Sequence, residues 1–112
     1  MFIHRRVVTV KEGKTEQMLE LYKNLMDQRS HFWLTTRFYV AHPGPEDHPA
    51  SNLNQIVWEG ESESLAADRE ATAHFLESIK ADEKALQEAW KRWHELEAEP
   101  QVVEFWTVSD SH

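Results

Sequence analysis

The sequence contains no cysteine and only three glycines in 112 residues. Without cysteine, the chain has no disulfide, no thiolate metal site and no cysteine nucleophile. With so few glycines, it has no glycine-rich loop of the kind that surrounds nucleotide phosphates. The G-x-S-x-G turn of serine hydrolases and the H-E-x-x-H motif of zinc proteases are absent as well. These absences argue against nucleotide binding, serine hydrolysis and zinc proteolysis.

Positive charge is scarce, and long apolar runs are missing. Twelve Lys and Arg stand against 20 Asp and Glu, so the formal net charge is -8. This charge disfavours binding to the phosphate backbone of nucleic acids, which needs clustered positive charge. No apolar run approaches the ~18 residues of a membrane span, and no apolar signal region follows residues 1–6. We therefore expect a cytoplasmic protein without nucleic-acid or membrane partners.

Aromatic residues, by contrast, are plentiful. Five Trp, five Phe and two Tyr argue against disorder, although the mean hydropathy is only -0.68. The length of 112 residues suits one domain, which we expect to span residues 1–112 around one core.

The pattern of apolar residues predicts four strands and two helical segments. Runs of β-branched and aromatic residues predict strands at residues 2–10, 31–41, 52–59 and 101–108. Apolar residues at spacings of three and four predict helices at residues 14–30 and about 64–98. Ser62 or Ser64 is expected to cap the second segment, and Asp82 to break it. The order β-α-β-β-α-β is that of the ferredoxin-like fold, an α+β arrangement in which a four-stranded antiparallel sheet carries its helices on one face.

The helix-free face of the predicted sheet needs a cover. Large apolar side chains fall on both faces of the predicted strands, so the alternation expected for a sheet with one wet face is missing. Leaving Trp33, Tyr39, Trp58 and Trp106 in water would forgo roughly 1.5–3 kcal/mol of burial each. We therefore predict a homodimer, in which two sheets pack face to face as a dimeric α/β barrel. The alternative is that longer helices or a loop cover this face within one chain.

Two short motifs resemble a known family. Residues 53–58 read LNQIVW and residues 64–69 read SLAADR, which is similar to the strand and following helix of NIPSNAP-type domains. These domains belong to the dimeric α/β barrel superfamily, which also contains antibiotic-biosynthesis monooxygenase-like domains. The resemblance implies a homodimer with a cleft between sheet and helices, or a pocket inside the barrel. It does not imply one reaction, because members range from monooxygenases and haem-degrading enzymes to proteins of unknown role.

The chain departs from the NIPSNAP pattern at the end of this strand. The family pattern carries a His and then a Trp there, whereas Trp58 lies nearer the His position and Gly60 nearer the Trp position. No role of that histidine therefore carries over to this chain.

Polar residues within the predicted strands form the candidate site. His4 is the predicted proton-transfer residue, because an imidazole titrates near neutral pH. Arg37 or Arg6 would stabilise developing negative charge, and Asn54 or Tyr39 would orient a substrate. The predicted catalytic set is His4, Arg37 and Asn54, and the predicted ligand-binding set is Arg6, Tyr39, Trp58, Arg69 and Trp106. The alternative is a polar network that fixes the register of the dimer, or exposure at strand ends.

Arg69 is predicted to lie in an apolar stripe of the long helix. On a helical wheel, it falls within about 60° of Leu76, the centre of that stripe. Leu65 and Ile79 lie on the same side. A buried arginine needs a partner, because its desolvation is costly. The alternatives are an internal ion pair, for example with Glu104, a side chain that extends to the surface, and contact with an anionic ligand.

Three other features have a weaker claim to function. His74 points away from this stripe and is predicted to be solvated. Trp90 and Trp93 are predicted to be core or interface residues before they are a ligand wall. The histidines and the aspartate of the proline-rich segment 42–49 match no known metal-site spacing, so we predict a turn-forming loop and no metal.

Two functions remain open. The first is a small-molecule-binding protein or enzyme, in which a planar, aromatic or oxygen-bearing compound lies against Trp58 or Trp106. No cofactor motif is present, so we predict no cofactor and chemistry of a cofactor-independent, monooxygenase-like kind. The second is a non-catalytic homodimeric module that acts through binding or assembly. RNA binding through exposed sheet aromatics is disfavoured by the net charge of -8.

Overall fold

Strands and helices follow one another along the chain in the predicted order. The computed structural model describes residues 1–49 and 52–109. The strands are β1 (Phe2–Thr9), β2 (Thr35–Val40), β3 (Gln55–Ser62) and β4 (Val102–Thr107). The α-helices are α1 (Thr15–Met26), α2 (Leu65–Lys80) and α3 (Glu83–Leu96), and a 3₁₀ turn spans Ser30–Phe32.

The four strands form one antiparallel sheet in the spatial order β2-β3-β1-β4. β1 therefore lies inside the sheet, and β2 and β4 form its edges. This arrangement confirms the predicted ferredoxin-like α+β fold. The prediction differs at residues 31–34, which it assigns to a strand and which instead form the end of the 3₁₀ turn and a bend before β2.

Two polar caps fix the starts of α2 and α3. Ser64 Oγ accepts a hydrogen bond from the Ala67 amide at 3.1 Å, and Asp82 Oδ1 accepts one from the Ala85 amide at 3.2 Å. Each bond satisfies one of the amides that a helix leaves free in its first turn. The predicted break at Asp82 is thus confirmed, and Ser64 rather than Ser62 is the first cap. Within the described ranges, no helix is both long and apolar enough to cross a membrane.

The main core lies between the sheet and the helices. Along β3 every second residue is buried, and Ile56, Trp58 and Gly60 share this buried side. The same alternation turns His4 and Val8 of β1 toward the helices. The helix-side face of the sheet is therefore densely packed.

Trp33 and Trp58 are buried on the helix side, at 6% and 2% exposure. The prediction that both lie on the helix-free face was wrong. Trp33 follows the 3₁₀ turn rather than standing in a strand, and its indole reaches Asp68 of α2. Trp58 has the buried parity of β3. Of the four aromatic residues predicted to lie on the helix-free face, Tyr39 and Trp106 remain exposed.

The helix-free face carries both apolar and charged side chains. Arg5 lies between Glu59 and Glu104, with guanidinium–carboxylate distances of 3.8 and 3.6 Å. The Tyr39 hydroxyl donates to Glu59 Oε2 at 3.0 Å. Beside this charged centre, the edge strand β4 exposes apolar side chains, with Trp106 at 53%. This face thus has paired charges around Arg5 and exposed apolar side chains along β4.

Candidate active site

A pocket with a volume of about 70 Å³ opens between the sheet and the three helices. Its aromatic wall is formed by Trp33, Trp58, Phe75, Trp90 and Trp93. Its polar groups come from His4, Arg6, Tyr22, Thr72 and Gln101. An apolar pocket with a few converging polar groups is the usual form of a small-molecule site.

His4 and Asp68 form a buried pair at the wall of this pocket. The imidazole Nδ1 lies 3.1 Å from Asp68 Oδ1, and the two residues are 3% and 2% exposed. The Trp33 indole donates its Nε1–H to the same carboxylate oxygen at 3.0 Å. Asp68 lies in the first turn of α2, where the positive end of the helix dipole favours a carboxylate. The buried carboxylate is thus held by two N–H donors and by its place in the helix.

Arg6 fixes the tautomer of His4. Its Nε–H donates to His4 Nε2 at 3.0 Å. Arginine always carries its protons, so Nε2 must present its lone pair, and the imidazole proton is on Nδ1, which donates to Asp68. Two consecutive hydrogen bonds therefore connect Asp68, His4 and Arg6. Asp68 orients the imidazole, and Arg6 occupies its second nitrogen.

Burial lowers the pKa of His4 below its usual value of 6.5. The Asp68 carboxylate opposes this shift, and the Arg6 guanidinium adds to it. The imidazole is therefore neutral at pH 7. A neutral imidazole is the form that can accept a proton from a ligand.

Gly60 makes room for two indoles beside His4. A Cβ at this position would lie 2.6 Å from Trp58 Cη2 and 2.8 Å from Trp33 Cδ1. Gly60 is also the partner of His4 across β1 and β3. The absence of a side chain lets Trp33 and Trp58 pack edge to face, with ring centroids 4.9 Å apart, next to the imidazole.

Two further donors belong to residues that line the pocket. Burial raises the pKa of the Tyr22 hydroxyl well above its usual value of 10.0, so the hydroxyl keeps its proton. The Trp58 indole N–H is buried and finds no acceptor among the described residues. A buried donor without an acceptor costs about 1–3 kcal/mol. A ligand oxygen that reached either donor would gain a hydrogen bond.

The structure brings together three of the predicted site residues, His4, Arg6 and Trp58. His4 and Arg6 share one face of β1, as the strand alternation predicts. Trp58 joins them from β3, with its ring centroid 5.4 Å from that of His4. The predicted base, one predicted arginine and one predicted ligand wall therefore meet in one pocket.

Four other predicted residues lie elsewhere in the fold. Arg37, Tyr39 and Trp106 are on the helix-free face, so the sheet separates them from His4. Asn54 lies just before β3, where its carbonyl accepts a hydrogen bond from the Val10 amide at 2.7 Å. Their proposed roles would have to be exercised outside the pocket that contains His4.

Arg69 is exposed on α2, which agrees with the alternative of a side chain that extends to the surface, whereas the stripe predicted around Leu76 is not the buried side of the helix. The buried residues of this helix are Asp68, Ala71 and Ile79. Leu65 and Leu76 are exposed, and a wheel centred on Leu76 is therefore rotated away from the buried side. Glu104, the suggested ion-pair partner of Arg69, lies near Arg5 instead.

Asp68, which accepts hydrogen bonds from His4 and Trp33, is not among the residues predicted from the sequence. The residues that share its helix face follow at three, four, seven and eleven positions, and they are Ala71, Thr72, Phe75 and Ile79. A carboxylate is rarely buried unless it is paired. An acidic residue at the head of an apolar stripe is the signal that could have found it.

The weaker candidates behave as core or surface residues. His74 is exposed, as predicted, and lies 3.7 Å from the Glu70 carboxylate. Trp93 is a core residue, as predicted, while Trp90 is 43% exposed at the pocket. In the part of the chain that the structure describes, no group of three or more His, Asp or Glu side chains could hold a metal ion. The predicted lack of a metal or cofactor stays a prediction.

Searches of the sequence against protein-family models and curated proteins find no match. Solved structures do match. A NIPSNAP family protein of unknown function from Agrobacterium tumefaciens has a TM-score of 0.71 at 17% identity, over 98% of this chain and 95% of that chain. An uncharacterized NIPSNAP domain protein from Burkholderia xenovorans has a TM-score of 0.65 at 15% identity, over 98% and 96%. An antibiotic biosynthesis monooxygenase has a TM-score of 0.62 at 14% identity, over 97% and 99%.

These matches extend over nearly the whole chain, so the protein shares its fold with NIPSNAP family proteins and with an antibiotic biosynthesis monooxygenase. The predicted resemblance to this superfamily is confirmed at the level of the fold. At such low identities a common fold does not establish a common function.

Proposed function

We propose that this protein binds a small, planar, largely apolar molecule with one acidic proton, and that His4 accepts this proton. The observation that supports the proposal is the buried chain from Asp68 through His4 to Arg6 beside an apolar pocket. A neutral imidazole with a carboxylate behind it can take up a proton. A guanidinium beside it can stabilise the anion that is left.

The proposed step moves one proton. His4 Nε2 takes it from an O–H group, or from a C–H group beside a carbonyl, and the electron pair stays on the ligand as an oxyanion or enolate. The Asp68 carboxylate stabilises the imidazolium that forms, since it already accepts the Nδ1–H bond at 3.1 Å. Arg6 and the Tyr22 hydroxyl supply donors for the oxyanion. A positioned base of this kind contributes about 10²–10⁴-fold to a reaction rate.

The pocket favours a ligand with one aromatic ring, or one end of a larger planar molecule. Its volume of about 70 Å³ is roughly half that of the ~150 Å³ apolar cavity that holds benzene in another protein. A ring must therefore extend into the mouth of the pocket, where Trp90 is partly exposed. The indoles of Trp33 and Trp58 offer the apolar surface on which such a ring can pack.

Monooxygenase-like chemistry is the finer form of the proposal. An enolate is electron-rich enough to react with dioxygen, which would be both oxidant and co-substrate. A CH₂ group beside a carbonyl would become C=O, and the second oxygen atom would leave as water with the two hydrogens. One structure of the same fold is named an antibiotic biosynthesis monooxygenase, which favours this use of the base over others.

Substitution of His4 tests the proposal. Aromatic ketones and phenols are screened by thermal shift, and turnover is followed as deuterium exchange into the ligand and as oxygen uptake. We expect at least one ligand to stabilise the wild type, by about 2.7 kcal/mol at 100 times its Kd. Exchange should fall about 10²-fold or more in His4→Gln and stay unchanged in His74→Gln, an exposed histidine on α2. A broad panel without any stabilising ligand would favour the alternative, a non-catalytic homodimeric module.

We further propose that two copies associate through the helix-free face. Val102 and Trp106 are about half exposed on the side of β4 away from the helices, and a second copy would remove them from water. Sedimentation of the wild type should then give twice the chain mass of 13.2 kDa. Trp106→Glu should give the monomer mass, whereas Leu65→Glu, an exposed leucine on α2, should not. A wild type that sediments as a monomer at micromolar concentration would contradict the dimer.

A further inference from the structure

Arg6 carries a positive charge into the pocket without a carboxylate partner. Its guanidinium donates to His4 Nε2 at 3.0 Å and to Gln101 Oε1 at 3.3 Å, and both acceptors are neutral. Within residues 1–49 and 52–109, no carboxylate oxygen lies within 4.0 Å of this guanidinium. The side chain is half-buried, so water compensates its charge only in part.

This positive site is local, because the chain as a whole has a formal charge of -8. The wall around it is mostly apolar and gives the charge little compensation. An arginine fork that is partly desolvated and lacks a carboxylate is well suited to bind a carboxylate or phenolate oxygen. The pocket should therefore favour anions, although the protein is acidic.

Arg6 also occupies the nitrogen that the proposed base must use. While its Nε–H donates to His4 Nε2, the lone pair is bonded and cannot accept a proton from a ligand. The other bond of Arg6, to Gln101, is long at 3.3 Å. The guanidinium must move before His4 can act, and only bonds to neutral groups hold it in place.

We infer that Arg6 binds an anion in the pocket and that, when no anion is bound, it blocks the Nε2 lone pair of the proposed base His4. A carboxylate or phenolate on an apolar ring would pair with the guanidinium, draw it away from His4 Nε2 and expose the lone pair. This exchange is favourable because a carboxylate offers the guanidinium two ionised oxygens in the bidentate geometry that it prefers, whereas His4 Nε2 is a single neutral acceptor. The inference rests on the proposed function, since it concerns the same base, and it narrows the ligand to molecules that carry an anionic group in addition to the proton that His4 removes.

A neutral molecule of the same shape would behave differently. It would pack on the aromatic wall, but it would offer Arg6 no anionic acceptor. The hydrogen bond from Arg6 to His4 Nε2 would remain, and the lone pair of the base would stay blocked. The protonated Tyr22 hydroxyl lines the same pocket and would be a second donor to an anion. Charge on the ligand, more than its shape, would thus decide whether the base becomes available.

Benzoate and benzamide test the inference, because they share one ring and differ in charge. Binding is measured by NMR titration in the wild type, in Arg6→Met and in Arg92→Met, which makes the same change at an exposed arginine of α3. We expect Arg6→Met to weaken benzoate binding at least about tenfold and to leave benzamide binding nearly unchanged. Arg92→Met should alter neither.

In protein with ¹⁵N-labelled histidine, the resonance of His4 Nε2 shows whether Arg6 still donates a hydrogen bond to this nitrogen. Benzoate should move this resonance in the wild type to its position in ligand-free Arg6→Met, whereas benzamide should not. If Arg6→Met does not fold, the Arg6 Nε–H resonance of the wild type gives the same answer. It should shift with benzoate and stay in place with benzamide.

Two results would overturn the inference and leave the proposed function standing. One is equal benzoate affinity in the wild type and in Arg6→Met. The other is benzoate bound while the His4 Nε2 and Arg6 Nε–H resonances stay where they are without ligand. If neither benzoate nor benzamide binds the wild type at millimolar concentration, the small-molecule pocket itself is refuted and the inference is refuted with it.

Discussion

Arg5 and Arg6 are neighbours in the sequence but lie on opposite faces of the sheet. Arg5 lies within 4 Å of Glu59 and Glu104, at 3.8 and 3.6 Å, and its charge is compensated. Arg6 contacts a neutral imidazole and the neutral amide of Gln101, and its charge is not. Because successive side chains of a strand point to opposite faces, two adjacent arginines thus lie in two different electrostatic environments. The first is compensated within the fold, and the second is the one that we propose binds a ligand.

The largest effect should come from the carboxylate on the helix side. Asp68→Ala leaves the His4 Nδ1–H and the Trp33 Nε1–H buried without their acceptor. We expect it to lower the free energy of unfolding by about 3 kcal/mol or more, since each bond to a charged group is worth about 1.5–3 kcal/mol. Urea unfolding measures this loss.

The matched control removes a carboxylate from the other face. Glu104→Ala should cost less than about 1 kcal/mol, because its contact with Arg5 is partly exposed to water. Equal losses of stability for the two variants would show that a carboxylate on the helix side is worth no more than one on the helix-free side.

A smaller effect should follow when one methyl group is added to each face of β3. In Gly60→Ala the new Cβ would lie 2.6 Å from Trp58 Cη2, and such overpacking typically costs about 1–3 kcal/mol. Val57→Ile adds the same group on the helix-free side, where we expect a change below about 0.5 kcal/mol. Thermal unfolding of both variants tests this contrast, which fails if Gly60→Ala is as stable as the wild type.

The smallest effect is a dependence of stability on pH. The pKa of His4 is lowered in the folded protein, first by burial, so below pH 6.5 the unfolded chain binds more protons at this site. The free energy of unfolding should therefore rise with pH from the lowered pKa up to about 6.5, by at most about 1.4 kcal/mol per pH unit, and then level off.

This contribution is obtained by difference. Urea unfolding from about pH 5 to about pH 8 should show a shallower rise for His4→Gln than for the wild type. His74→Gln, on the exposed side of α2, should keep the wild-type slope. A wild-type slope in His4→Gln would contradict the lowered pKa.

The order of the elements was predictable, because it depends on local patterns. Ser64 and Asp82 are side chains that cap helices well, and each caps the helix predicted to follow it. The alternation of β1 places His4 and Arg6 on one face without knowledge of the rest of the chain. The placement of His4 beside Arg6, one of the two hydrogen-bonded pairs at the pocket, was therefore predictable from the sequence.

The other pair depends on contacts between distant residues. Asp68 meets His4 across 64 positions and Trp33 across 35, and no periodicity in a sequence encodes such pairs. The exposed Leu65 and Leu76 also make the apolar pattern of α2 point to the wrong side. The helix could be predicted, but its buried face was assigned wrongly, because the stripe around Leu76 competes with the one that runs from Asp68 to Ile79.

The two arginines of β1 also bear on how this strand aligns during folding. A slip by one position along β3 would turn Arg5 toward the helices and Arg6 toward the carboxylates, so the arginines alone distinguish poorly between the two alignments. His4 distinguishes them, because the slip would remove the imidazole from Asp68 and leave a buried carboxylate short of a donor. The imidazole therefore helps to select the native alignment of the central strand. A misaligned chain lacks the bond between His4 and Asp68 and is less stable than the native fold.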